Sequence, residues 1–152
     1  PKHSASLFSN GYTKIEIDEQ GLTKSELFAD KMTHFSDDNT IEMDKPVMTF
    51  YSDGAPSWKI RSETGLLSSD RENLFLNGKV FIVREKEDDN RKMKVNTSNL
   101  RVKPEENYAE TDDWAELITP TDWVSGTGMK VFFQDPVYLE LLSNVRSRYE
   151  KL

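Results

Sequence analysis

Only two histidines, His3 and His34, stand among the residues that could do chemistry, and cysteine is absent. A two-histidine zinc site would need His3 to fold back on to His34, and the sequence has no HExxH pair and no His/Cys cluster. Metal binding, thiol catalysis and disulfides are therefore not expected. Gly126-Thr127-Gly128 offers two glycines of a phosphate-binding loop without the third and without a following helix, and no GxxxxGK[ST] run occurs. Two acidic runs, Glu85 to Asp89 and Asp112-Asp113, carry the residue types that seat a cation or act as a paired acid and base. Both fall in or beside turn-forming stretches, and for the first a solvated hairpin tip accounts for the charge. Asn96-Thr97-Ser98 satisfies the glycosylation pattern, but a polar strand edge does so equally well. No catalytic residue, metal site or cofactor is nominated, and the chain is expected not to be an enzyme.

The scaffold around such residues is a chain of 152, enough for one domain with a real core. Charged residues make up 31% and hydrophobic residues 36%, but 8 Phe, 5 Tyr and 3 Trp argue against disorder. A net charge of −7 speaks against nucleic acid, whose binding draws on clustered Lys and Arg. No run of about 18 apolar residues is present to span a bilayer. Pro1 suggests a trimmed natural start, which leaves room for an anchor or signal ahead of it.

Alternation dominates the chain. Thr13, Ile15 and Ile17 are set against Lys14, Glu16 and Asp18, which suits a half-buried strand. The same period recurs in Leu74, Leu76, Val80 and Ile82, in Met93 and Val95, and in Met129, Val131 and Phe133. Turn-formers punctuate these runs at 18–21, 36–39, 52–56, 68–70, 87–90, 104–107 and 126–128. Residues 1–10 read as a flexible linker and 11–152 as one all-β domain, a sandwich, barrel or jellyroll. A repeat points the same way. Phe28, Phe35, Ser36, Asp38, Pro46, Met48 and Phe50 recur 32 positions later as Ile60, Leu67, Ser68, Asp70, Gly78, Val80 and Ile82, with a degenerate third unit over 95–117. The inward apolar residues suit a filled core and a lipid-lined gap between sheets equally well.

Several segments carry a family resemblance: Tyr108-Ala-Glu-Thr-Asp112, Gly126-Thr-Gly-Met-Lys130, and Leu141-Leu-Ser-Asn-Val-Arg146 followed by Tyr149. Earlier positions add Gly21, Leu27, Ala29, Phe35, Pro46, Trp58, Ile60, Asp70 and Gly78-Lys-Val80. In order and spacing the chain resembles the lipopolysaccharide export family LptC from Tyr12 to about Glu150. It departs at Thr119-Pro120, where relatives often place a glycine.

The resemblance implies a twisted, boat-like β-jellyroll of the LptA/LptC/OstA kind. It also implies a periplasmic location behind an N-terminal transmembrane helix absent from this sequence. By implication the domain takes lipopolysaccharide from the inner-membrane LptB, LptF and LptG transporter and passes it to periplasmic LptA. Lipid contacts are expected at Met43, Trp58, Ile60, Val80, Ile82, Met129, Val131, Leu139, Leu141 and Tyr149. The N-terminal edge (Thr13, Ile15, Ile17) would meet the transporter through LptF, and the C-terminal edge (Val145, Arg146, Ser147) would meet LptA. Residues Leu139 to Glu150 read as one cleanly alternating edge strand. Two rivals remain: an edge-to-edge β adaptor with a filled core, and a carbohydrate-active jellyroll enzyme.

Overall fold

The computed structural model describes residues 5–84, 92–134 and 136–149. Ten antiparallel strands form one sheet: β1 (Ala5–Ile17), β2 (Thr23–Phe35), β3 (Ile41–Asp44), β4 (Val47–Ser52), β5 (Ala55–Leu67), β6 (Leu74–Arg84), β7 (Lys94–Lys103), β8 (Tyr108–Ile118), β9 (Asp122–Phe132) and β10 (Tyr138–Tyr149). Neighbours in the sheet follow chain order, with β3 and β4 placed end to end between β2 and β5. Tight turns join β1 to β2, β4 to β5, β5 to β6 and β8 to β9, which the punctuation of the sequence anticipates.

The strands are bent near their middles. Register shifts fall at Ser62/Thr64, Leu76/Lys79, Asn96/Arg101, Thr111/Trp114 and Ser143/Arg146. Left-handed backbone recurs along this line at Gly11, Lys45, Gly78, Asn99, Gly128 and Asn144. A bulge inserts an extra residue, kinks the strand and can move the buried set to the other parity. In β5 the buried series Trp58, Ile60, Ser62 gives way to Gly65 and Leu67, and in β7 Val95 and Thr97 give way to Leu100 and Val102. The sheet thus folds across its strands into two layers, with β4 wholly in one and β3 wholly in the other. The layers meet at Phe133, whose ring stacks on Phe50 at 5.1 Å and edges on to Trp58 at 5.4 Å. The result is the all-β jellyroll expected from the sequence.

Three expectations are corrected. Residues 5–10, read as linker, form the first part of β1 and pair with 31–35 of β2, because their side of the bend at Gly11 completes the second layer. Gly126 to Gly128 is not a turn but the middle of β9. A Cβ on Gly126 would stand 2.9 Å from Cβ of Leu141 and 3.1 Å from the Ser143 carbonyl, so glycine there answers a close approach of β10. The last strand does not alternate cleanly, since Asn144 at φ 52 breaks it and Val145 has no partner on β9. At Thr119-Pro120 the chain turns tightly, Thr119 N–H donating to the Asp122 carbonyl at 3.0 Å. The acidic run Glu85 to Asp89 and the turn at 87–90 lie outside the described residues.

Candidate lipid-binding interior and edges

The apolar interior follows from the bends, since long strands such as β5, β6 and β7 contribute inward residues to both layers. Trp58, Ile60, Val80 and Ile82 line one layer, and Met43, Met129 and Val131 line the other, all within one cluster and all at most 2% exposed. Leu139 and Leu141, partly buried, pack against the same cluster from β10. The side chain of Tyr149 lies outside the described residues. The other residues expected to contact lipid are thus brought together by the fold, but Phe50, Leu74, Leu76, Leu100 and above all Phe133, left out of that set, share the same interior. Phe133 follows the alternation of Met129 and Val131; only its reach across the interior was hidden.

Three of the most buried side chains, Met43, Met48 and Met129, are methionines. Their unbranched, polarizable chains adapt to irregular shapes better than branched ones. Between the free ends of the two layers, Lys24 Nζ donates to the Glu105 carbonyl at 3.1 Å. Glu105 lies in the 3-10 turn Pro104–Glu106 that joins β7 to β8. Glu16 also faces Glu105, and its carboxyl is pushed up by partial burial and then by that neighbouring carboxylate. Rim contacts and the Phe133 stack hold the layers together.

Among the described residues the two outer strands, β1 and β10, each pair on one side only. On β1 the side chains of Thr13, Ile15 and Ile17 face out, Ile15 being 52% and Ile17 56% exposed, while Lys14 and Glu16 turn inward. This reverses the half-buried reading of that run: the core behind β1 is covered by Leu27 and Ala29 of β2, leaving the isoleucines uncovered. On β10, Val145 is 55% exposed in the bulge, while Arg146 and Ser147, also exposed, pair with Ser125 and Val124.

Asp112-Asp113 falls at the bend of β8. The Asp113 carboxylate accepts from Ser98 Oγ at 2.7 Å and Asn99 Nδ2 at 2.8 Å, and these hydrogen bonds hold its pKa below the usual value. Asp113 thus serves the bend. His34 Nε2 lies 2.7 Å from Asn39 Oδ1. Among the described residues no cluster of three or more His, Asp or Glu is placed to hold a metal, and no helix is long and apolar enough to cross a membrane.

A two-layered jellyroll with an apolar interior and two free edges is the LptA-like architecture of lipopolysaccharide transport components. The periplasmic LptA homologue LptH of Pseudomonas aeruginosa has this fold: its crystal structure superposes with a TM-score of 0.60 over 92% of this chain and 96% of that one, at 12% identity. Residues 1–150 match the family described as "Lipopolysaccharide-assembly, LptC-related", and the chain belongs to that family. No curated protein matches it. Membership assigns the chain a role in lipopolysaccharide transport among periplasmic components.

Proposed function

We propose that the domain binds the acyl part of lipopolysaccharide between its two layers and relays it from the LptB/LptF/LptG transporter to LptA. The observation that carries this reading is the single apolar cluster shared by both layers of a sheet whose edges stay open. Acyl chains gain about 0.8 kcal/mol per methylene removed from water, while the sugars remain outside. The layers must part for this, because the interior side chains pack against one another. Parting at the rim breaks Lys24–Glu105 and the Phe133 stack while leaving the sheet ladders intact. The adaptable methionines then repack around the chains.

The edges complete the relay. An unpaired strand edge accepts a strand from a partner, so β1 would receive LptF and β10 would receive LptA. An anchor ahead of the sequence would hold the domain at the inner membrane, and the chain itself would perform no catalysis, drawing direction from ATP hydrolysis in the transporter. One observation favours the adaptor reading instead: residues such as Ile60 and Val80 are fully buried, as in a filled core. Delipidated protein titrated with fluorescent lipopolysaccharide separates the two. Saturable binding supports the relay, and its absence leaves the adaptor.

A further inference from the structure

Outside the core, one concavity collects positive charge in an otherwise acidic protein. It opens on the outer face where β3 gives way to β4, has a volume of about 470 Å³, and is lined by Lys45, Val47, Arg61, Glu63, Lys79 and Phe81. Among the described residues none of Lys45, Arg61 and Lys79 forms an ion pair. That is unexpected in a chain of net charge −7, where acidic partners are abundant. Glu63 is the one carboxylate in the lining, so positive charge is in excess.

The bends hold these cations in place. Lys45 sits at φ 51 with its N–H bonded to the Glu63 carbonyl at 2.7 Å. Lys79 follows Gly78, whose N–H donates to Asn99 Oδ1 at 2.9 Å. The Arg61 guanidinium lies 5.5 Å from the centre of the Phe81 ring, and Phe81, 39% exposed, forms an apolar wall with Val47.

We propose that this cleft is a second binding site, on the exterior, for a phosphate-bearing amphiphile. A phosphate has the acceptor oxygens to engage an arginine fork and two ammonium groups together. Val47 and Phe81 take the first apolar carbons attached to it. The volume lies within the usual range for small-ligand sites, and the charge of the rest of the chain repels an extended polyanion such as an acidic peptide. The site is separate from the interior between the layers and does not rest on lipid binding there.

The test uses the whole purified chain, isotope-labelled, titrated with lauroyl lysophosphatidic acid below its micellar concentration, with uncharged monolaurin, with inorganic phosphate and with hexaglutamate. Lysophosphatidic acid should shift the amides of Lys45, Arg61 to Glu63 and Lys79 to Phe81, and inorganic phosphate should shift the same amides only at higher concentration. Arg61→Glu and Lys79→Glu, checked for an unchanged circular-dichroism spectrum, should each weaken this binding at least about tenfold, as expected for loss of one charge-assisted contact. Phe81→Ala should weaken the lysolipid and spare inorganic phosphate. Equal shifts with monolaurin, equal affinity for free phosphate or hexaglutamate, shifts confined to core amides such as Met129, or full affinity in the folded charge variants would each overturn the proposal.

Discussion

Arg71 Nη1 donates to the carbonyl of Asn39 at 2.6 Å, across a separation of 32 residues, and both residues hold left-handed backbone at φ 66 and φ 59. The spacing is that of the sequence repeat. Asp38 caps the Thr40 N–H as Asp70 caps the Glu72 N–H, so equivalent turns at the ends of β2 and β5 stack and Arg71 joins them. Nη1 also donates to the Ser68 carbonyl at 2.9 Å. Arg71→Ala should lose these bonds and keep the backbone strain. Arg71→Gly loses the same bonds but relieves the strain, and should be the more stable of the two by about 1 kcal/mol in denaturant titrations.

Much of this was legible in the sequence. Period-two alternation and turn-formers locate most strands, and Ile60 between Lys59 and Arg61, like Met129 before Lys130, is buried while its charged neighbours are exposed. The bends were not legible, because a change of parity inside one strand looks, in the sequence alone, like a break between two shorter strands. For that reason β10 read as one straight face and Gly126 to Gly128 as a turn. Exposed Ile15 and Ile17 escaped too, since alternation tells two faces apart without telling which one is covered.

Gly126→Val tests the close approach of β10 to β9. The added side chain meets Leu141 and the Ser143 carbonyl, so destabilisation of about 1–3 kcal/mol is expected, with amide exchange on β10 rising before that of β5 and β6. Uniform loss of protection would mean that β10 does not yield first.

Acid titration tests the bend at Asp113. Its folded pKa lies below 3.8, so its hydrogen bonds stabilise the fold above that value and are lost as the pH falls through the folded pKa. Asp113→Asn should therefore lose less stability than the wild type on acidification through this window, measured as the change in melting temperature.

Glu16 has the opposite sign. Partial burial and then Glu105 raise its folded pKa above 4.5, so its ionised form opposes folding, and the cost grows as the pH rises through the folded value. Glu16→Gln should melt higher than the wild type at neutral pH and lose that advantage below 4.5. An advantage independent of pH would assign the gain to something other than this charge.

Val145→Pro tests strand addition at the β10 edge. Val145 has no partner on β9, so proline there should leave the fold and its circular-dichroism spectrum intact. Capture of LptA by immobilised protein should fall while capture of LptF through β1 persists. Loss of both partners would indicate unfolding, and undiminished LptA capture would move its docking edge elsewhere.

Photo-crosslinking in cells can read out lipid bound between the layers. Met43 and Leu139 point into the shared cluster, whereas Lys59 and Lys130 are exposed on the outside. A photoreactive residue at Met43 or Leu139 should capture lipopolysaccharide, and one at Lys59 or Lys130 should not. Equal capture at the two sets, or capture at the lysine positions alone, would contradict an interior lipid path.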